Sequence, residues 1–461
     1  MNAPDTRSLT PREAVELLFD TARKKGAAKF DAVAGESESF GLELFEGKVK
    51  STEISNSRGI GIRLFRDTPE GQRPGFAFTE RLTPQALSRT VDDAWSHAAI
   101  TDPVDLDLPT PAPLPDLDLK AFNPALEDIS LEAMKALGLE LEAHAKREDA
   151  RVENVPYLGV SRGGGFSLVA NSNGALYESR GNSLSAWVGV VAKQSADSDV
   201  RKMGVYSRGG RTFDATYFDP ARMARIAVER ATELLDAAPV ASGEYPIVFS
   251  HRVSGQLFGM FGSPFFAEAA QKGQSLLKDK QGERIASPLF SLTSDPFLVG
   301  APGSHLFDGE GVPSRRLEVV KDGVLQTFLY NLESAKKAGV APTGTGSRGY
   351  SGKAGTGFAN YIVPLGGDSL ESLLSRHDKC LLIVKLEGGS GCSAISGEIS
   401  IGAQGFLYEK GQRVRAVDRI TLSTNFFDLL QNISGLSNEY SDSFSSVKVP
   451  DVLVEKVNVA G

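Results

Sequence analysis

The chain has 461 residues, of which 41% are hydrophobic and 23% charged, and its formal net charge is −8. This composition is typical of a globular protein. No run of Lys and Arg forms the basic patch that nucleic-acid phosphates require, so we expect no nucleic-acid partner. Two cysteines, Cys380 and Cys392, exclude a disulfide framework. No signal-peptide pattern and no bilayer-spanning apolar stretch is found, which predicts a cytoplasmic protein without a membrane partner.

Helix start signals and helical spacing of apolar residues predict four helices in the first half of the chain. Threonine, serine and aspartate are favoured N-caps, and proline suits the first helical position. The predicted helices are one opened by Thr10 and Pro11, one from Thr83 to about His97, one from about Ser130 to Arg147, and one from Ala221 to Ala238.

Alternating apolar residues predict strands between these helices. The first strands are predicted at Phe30 to Phe45, Val49 to Asn56 and, after a turn at residues 57–59, Ile60 to Phe65, with another near Phe76 to Phe78. Residues 150–214 are expected to form antiparallel strands with a hairpin turn at Asn171 to Gly174. Residues 101–126 are rich in Pro, Asp and Leu and are predicted to be an extended connector.

The character of the sequence changes near residue 241, after which it is rich in Gly and in predicted strands. This pattern predicts an α+β protein of two domains. Residues 1–240 would form an α/β domain with a mixed sheet and flanking helices. Residues 241–461 would form a Gly-rich, mostly antiparallel β domain.

Several motifs, in order and along nearly the whole chain, resemble the TldD/PmbA family, also called the modulator of DNA gyrase family. In the first half, the resemblance is carried by residues 46–49 and 57–63. It is strongest in the second half, where the matching stretches are the D-x-E-G-x-x-x-x-R segment at 308–316, residues 321–325, Asn360 ahead of Pro364 and residues 366–367, and the S-G-x-x-S-x-G-A-x-G-F signature at 396–406.

The resemblance implies a function as well as a fold. In this family, TldD-type and TldE-type chains pair into a heterodimeric metallopeptidase that processes or degrades unfolded or flexible peptides, including precursors of peptide antibiotics. The TldD-type chain binds zinc through an H-E-x-x-x-H motif and a C-terminal cysteine. The TldE-type (PmbA) chain lacks these residues and completes the assembly.

The zinc motif is degenerate in this chain. A catalytic zinc ion needs three protein ligands and an open position for water, and a nearby carboxylate takes the proton of that water. The motif positions here are His251, Arg252 in place of the glutamate, and Gln256 in place of the second histidine, and residues 435–461 contain no cysteine. We therefore expect no catalytic residue, metal or cofactor in this chain, and zinc only in a TldD-type partner.

Three interpretations of His251 remain open from the sequence: a locally hydrogen-bonded remnant, a ligand of a rearranged metal site, or a contact to a partner chain or peptide. The other candidates for contacts with a partner or peptide lie in or beside the motifs that carry the family resemblance, and they have polar side chains. The full set of candidate contacts is His251, Arg252, Asp308, Glu310, Arg315, Arg316 and Asn360. For the two carboxylates, the alternative is turn formation and pairing with Arg315 or Arg316.

Three functions are compatible with the sequence. The first is a non-catalytic TldE-type subunit that pairs with a TldD-type chain and helps to hold an unfolded peptide. The second is a stand-alone homodimeric hydrolase with a non-standard site, and the third is a protein-binding modulator of DNA gyrase. The Gly-rich residues 342–357 are expected to be mobile in isolation and to become ordered against a partner chain or peptide.

Overall fold

The first half of the chain forms one six-stranded antiparallel sheet. The structure is a computed structural model that describes residues 7–461. The strands are β1 (Lys29–Phe45), β2 (Lys48–Thr68), β3 (Gly71–Thr79), β4 (Val152–Asn171), β5 (Leu176–Lys193) and β6 (Arg201–Gly210). They lie in the order β3-β2-β1-β4-β5-β6, and every neighbouring pair is antiparallel. The predicted mixed sheet is therefore wrong in this detail, because no helix here serves as a crossover between parallel strands.

β2 is a single long strand, whereas the sequence predicted two strands separated by a turn at residues 57–59. Ser57 and Gly59 remain in the ladder, paired with Ser37 and Gly35 of β1. The Ser-Arg-Gly tripeptide is typical of a turn, but the neighbouring strand supplies hydrogen-bond partners along its whole length. Tertiary pairing thus overrides the local preference.

Four helices flank this sheet at the predicted places. They are α1 (Pro11–Lys25), α2 (Pro84–His97), α3 (Leu131–Glu148) and α4 (Pro220–Thr232). Each follows an N-cap residue whose side chain accepts backbone N–H groups of the first turn, and these N-caps are Thr10, Thr83, Ser130 and Asp219. α4 ends six residues before the predicted Ala238, in a turn. One apolar core joins α1 and α2 to β1, β2 and β4, and another joins α3 and α4 to β4, β5 and β6.

The second half of the chain contains many short elements. Its helices are α5 (Ser254–Met260), α6 (Ala267–Gln271), α7 (Leu332–Ala338), α8 (Leu370–Leu374) and α9 (Phe426–Gln431). Its strands are β7 (Gly243–Phe249), β8 (Leu292–Ser294), β9 (Leu317–Lys321), β10 (Val324–Leu325), β11 (Gly346–Ser347), β12 (Gly355–Thr356), β13 (Tyr361–Ile362), β14 (Lys379–Glu387), β15 (Glu398–Glu409), β16 (Gln412–Asn425), β17 (Ile433–Leu436), β18 (Val447–Lys448) and β19 (Val452–Ala460). With the antiparallel sheet of the first half, this content confirms the α+β class.

A closed ring of strands organises the second half. The strands follow the order β16-β15-β14-β7-β19, and β19 pairs again with β16, while β17 adds to β19. The pairing is antiparallel except between β7 and β14. A second sheet has the order β10-β9-β8-β13-β18. Their largest shared core includes stacked phenylalanines, such as Phe261 on Phe426 with ring centroids 4.4 Å apart.

The Gly-rich residues 342–357 pack against the sheet of the first half within the same chain. The side chain of Tyr350 lies over Gly59, and a Cβ atom on Gly61 would be 2.0 Å from the backbone oxygen of Tyr350. Glycine is required at such a close approach because any side chain would collide with backbone. In the intact chain this segment is therefore held by intramolecular contacts, contrary to the expectation that a partner or peptide would be needed.

Residues 101–123 form neither helix nor strand, and a short 3-10 turn follows at Pro124–Leu126. Leu106 and Leu108 nevertheless pack with Phe65 of β2 and Leu332 of α7. The connector thus contributes to the contact between the two halves. Among the helices in residues 7–461, none is long and apolar enough to cross a membrane.

Candidate functional site

His251 lies in the turn between β7 and α5. Its Nδ1 atom is 3.1 Å from Oδ1 of Asp451, and the same oxygen accepts the backbone N–H of His251 at 2.7 Å. Asp451 is 1% exposed, and its Oδ2 accepts the hydroxyl of Ser437 at 2.7 Å. Burial disfavours the charge of Asp451, but His251 and Ser437 outweigh burial and hold the pKa of Asp451 below its ordinary value.

The other two motif positions have different environments. Nη1 of Arg252 forms an ion pair with Oε1 of Glu233 at 2.7 Å, at the end of α4. Gln256 lies in the first turn of α5. His251, Arg252 and Gln256 line one cavity of about 200 Å³ together with residues 441–449 and β6. The structure thus brings the three degenerate positions to one polar cavity.

The donor set around this cavity does not fit a catalytic zinc ion. Such an ion needs three His, Cys or carboxylate ligands with tetrahedral geometry. Across residues 7–461, no group of three or more His, Cys, Asp or Glu side chains is arranged to hold a metal. His251 has one carboxylate neighbour, and Arg252 adds a permanent positive charge. That this chain binds no zinc stays a prediction, which a measurement of its metal content would test.

Asp308 and Glu310 lie in a different place, at the contact between the two halves. Asp308 is 3% exposed, and its carboxylate accepts backbone N–H groups of Glu310 at 2.9 Å, Val312 at 3.0 Å and Gly346 at 2.7 Å. Burial raises the pKa of Asp308 to about 7, despite these donors, which favour the charged form. The carboxyl group therefore fixes the turn that carries Glu310, as the turn-forming interpretation proposed.

Glu310 pairs with Arg63 of β2, not with Arg315 or Arg316 as the sequence suggested. Its Oε1 is 3.1 Å from Nη2 of Arg63, and its Oε2 accepts the first backbone N–H of α7 at 2.8 Å. Arg315 is exposed and donates to a backbone oxygen at 3.4 Å, while Arg316 is 3.5 Å from Asp295. The arginines adjacent in sequence point elsewhere, and the partner of Glu310 is 247 positions away.

A buried network of charges extends from this pair. Asp31 of β1, 2% exposed, accepts from Nε of Arg63 at 3.1 Å and from Nη1 of Arg348 at 2.7 Å. Burial alone would raise the pKa of Asp31, but Arg348 and Arg63 hold it below its ordinary value. We call Asp31, Arg63, Glu310 and Arg348 the interdomain charge network, because it links β1 and β2 to two segments of the second half. It forms part of the wall of a cavity of about 630 Å³.

Asn360 is fully buried and uses its side-chain amide inside the fold. Its Nδ2 donates to the backbone oxygen of Asp295 at 2.6 Å and to the hydroxyl of Ser304 at 3.0 Å. Its Oδ1 accepts the backbone N–H of Gly303 at 3.2 Å. These contacts tie the loop before β9 to β13 and give Asn360 a structural role in this arrangement.

Comparison with known proteins identifies the family. Residues 30–98, 124–235 and 242–461 match, in that order, the models for PmbA/TldA metallopeptidase domain 1, central domain and C-terminal domain. The chain belongs to the PmbA/TldD metallopeptidase family. The metalloprotease PmbA of Escherichia coli O157:H7 is 28% identical over 461 residues, which cover 98% of this chain and 97% of that protein.

Solved structures of PmbA/TldD-like proteins show the same fold. A putative modulator of a DNA gyrase from Thermotoga maritima is 28% identical, with a TM-score of 0.85, and the match covers 98% of this chain and 100% of that one. TldE from Thermococcus kodakarensis has a TM-score of 0.84 at 22% identity, covering 97% and 100%. The similarity to TldE is evidence for a shared fold alone.

Sequence reasoning singled out His251, Arg252 and Gln256 in this PmbA/TldD chain but missed the residues around them. Asp451, which accepts the backbone N–H of His251, is 200 positions away. Arg230 of α4 and Lys448 of β18 line the same cavity and were not singled out. No local spacing marks these residues, because three separate segments must fold together before they meet.

Proposed function

We propose that this chain is a non-catalytic PmbA/TldE-type subunit of a zinc metallopeptidase that acts on unfolded or flexible peptides. The observation that carries the proposal is the environment of His251. Its imidazole faces the buried carboxylate of Asp451, and the neighbouring motif positions hold a guanidinium paired with Glu233 and a neutral amide. Such a set can orient a polar group but offers too few ligands for a hydrolytic metal ion.

The relatives support the proposal in part. Proteins named metalloprotease PmbA match along nearly the whole chain, and proteins named TldD homologues match less of it, as for one from Haemophilus influenzae at 25% identity over 418 residues. A TldD-type chain is therefore the proposed partner, which would supply zinc. This subunit would close the assembly over the partner's active site and help to hold extended peptide, a ligand that commonly adds a strand to a sheet edge.

Metal content and peptidase activity with and without a TldD-type chain test the proposal. We expect the purified chain alone to contain far less than one zinc per chain and to leave an unfolded reporter peptide intact. Mixing it with a TldD-type chain should give cleavage that a chelator abolishes. Stoichiometric zinc or cleavage by the chain alone would refute the proposal and favour the homodimeric hydrolase.

A matched pair of variants makes the test specific to the site. In the assembled complex, His251→Ala should change the Michaelis constant for peptide more than the turnover number, because His251 would contact peptide without taking part in the chemistry. His377→Ala, a change at another partly exposed histidine, which lies beside Glu455, serves as the control and should change neither. Loss of turnover alone in His251→Ala would indicate a catalytic role for this chain.

A further inference from the structure

The cavity beside His251 is positively charged as well as polar. Three cationic side chains line it, Arg230, Arg252 and Lys448, against one carboxylate, Asp442. Arg252 is paired with a glutamate outside the cavity. Asp442 is already engaged by three donors on its Oδ2: the hydroxyl of Tyr206 at 2.6 Å and the guanidiniums of Arg208 and Arg222 at 2.8 and 3.0 Å.

Arg230 has no carboxylate partner in the part of the chain that the structure describes. Its Nη1 donates to the backbone oxygen of Val205 at 2.8 Å, and its buried Nε has no hydrogen-bond partner among residues 7–461. Burial lowers the pKa of Arg230, and the nearby charge of Arg252 lowers it further. Tyr206, Glu233 and Asp442 act in the opposite direction, but neither carboxylate forms an ion pair with Arg230 within residues 7–461. A half-buried guanidinium beside a second cation is an unfavourable arrangement that an anion would relieve.

Lys448, which also lines the cavity, is in a similar situation. Its Nζ donates to the backbone oxygen of Ser443 at 2.8 Å, and within residues 7–461 no carboxylate lies within the 4.0 Å that defines an ion pair. Burial lowers the pKa of Lys448 and outweighs the opposite effect of the charge of Asp442. Much of the remaining lining is polar, with the hydroxyls of Ser441, Ser443 and Ser445.

We propose that this cavity binds a carboxylate group of a polypeptide, held by Arg230 and Lys448. The proposal rests on the proposed function only in taking a polypeptide as the ligand. A volume of about 200 Å³ admits the end of a chain or one acidic side chain, but not a folded domain. Guanidinium and ammonium groups in a partly desolvated cavity form charge-assisted hydrogen bonds with a carboxylate, whereas an apolar side chain would leave both cations unpaired. In this family member, the degenerate zinc site would thus serve as an anchor for peptide.

Binding of peptides to the purified single chain tests this proposal without a TldD-type partner. The probe is an unstructured peptide of Gly, Ser, Ala and Gln with an N-terminal fluorophore, measured by fluorescence anisotropy. Three forms are compared: a free C-terminal carboxylate, an amidated C-terminus, and an amidated C-terminus with one internal glutamate. We expect the free acid or the glutamate form to bind at least about tenfold more tightly than the neutral amide, the size of one charge-assisted interaction.

Substitutions of residues that line the cavity test whether the peptide binds there. Lys448→Met should weaken binding of the carboxylate form about tenfold and leave binding of the amide unchanged. Gln256→Glu, which keeps the side-chain size and adds a negative charge, should weaken it similarly by repulsion. Lys321→Met, at an exposed lysine of β9, is the control and should have no effect. Thermal unfolding of each variant verifies that the fold is intact.

The outcomes separate this proposal from the function proposed above. Tighter binding of the free acid than of the internal glutamate assigns the cavity to a chain terminus, and the reverse assigns it to an acidic side chain. Equal binding of acid and amide forms, no binding of any form, or unchanged binding in folded Lys448→Met would overturn the carboxylate site. Carboxylate binding without any stimulation of a TldD-type partner would overturn the proposed subunit role and leave the site intact.

Discussion

Replacing Arg348 with methionine should strongly destabilise the protein, because Arg348 is part of the interdomain charge network. Its side chain is 1% exposed, and its Nη1 donates to Asp31 at 2.7 Å. Methionine fills a similar volume but removes the charge. Two buried carboxylates, those of Asp31 and Glu310, would then share the single guanidinium of Arg63.

The expected loss of unfolding free energy follows from this imbalance. Breaking a buried ion pair by removing one partner typically costs ~3–5 kcal/mol, because the remaining charge is left uncompensated. The charge-assisted hydrogen bond to Asp31 accounts for ~1.5–3 kcal/mol of this figure. The contact of the guanidinium with the ring of Phe76, at 5.9 Å, adds ~0.5 kcal/mol. We therefore expect Arg348→Met to lose about 3–5 kcal/mol.

Urea unfolding monitored by tryptophan fluorescence measures this loss, since both tryptophans, Trp95 and Trp187, lie in the first half of the chain. Arg316→Met is the control: that side chain is 66% exposed, and a change of no more than about 0.5 kcal/mol is expected. The double variant Asp31→Asn/Arg348→Met should recover part of the loss, because it removes both charges of the pair. A loss below about 1 kcal/mol in Arg348→Met would refute the network as a stabilising contact between the halves.

Three further predictions follow from local geometry. Gly61→Ala should lower the unfolding free energy by about 1–3 kcal/mol and speed proteolysis within residues 342–357, whereas Gly349→Ala, with no atom within 4 Å of its Cβ, should do neither. The pKa of Asp308 rises on folding from 3.8 to about 7. Between these pH values, the unfolding free energy of the wild-type protein should therefore fall as the pH increases, by up to about 1.4 kcal/mol per pH unit relative to Asp308→Asn. Parallel curves of unfolding free energy against pH for the two proteins would contradict this. Burial raises the pKa of Cys380 to about 12, so only Cys392 should react rapidly with a thiol reagent in the native chain, and two fast thiols would count against it.

Local signals in the sequence were sufficient to place many elements. Thr10, Thr83 and Ser130 each accept a backbone N–H at the start of a helix, as their positions predicted. The hairpin turn at Asn171 to Gly174 also lies where predicted, between β4 and β5. These features depend on residues three or four positions apart, so the sequence displays them directly. The division into domains at residues 240 and 241 stays a prediction, although that boundary falls between α4 and β7.

The candidate site could be located from the sequence but its environment could not. The expected loss of the zinc motif rests on the identities of Arg252 and Gln256 alone and stays a prediction. The carboxylate that faces His251 and the cavity's two cations without an ion-pair partner in residues 7–461 come from segments far apart in the chain. Glu310 likewise forms its ion pair with Arg63 and not with Arg315 or Arg316, which lie near it in the sequence.

The sequence by itself determined the fold class, the family and the residue types at the motif positions. Only the tertiary structure decided which charges meet, that β2 continues through residues 57–59, and that residues 342–357 pack on the same chain. The physical reason is that helix caps and turns are satisfied by near neighbours, whereas a buried charge must find its partner wherever folding brings an opposite charge close.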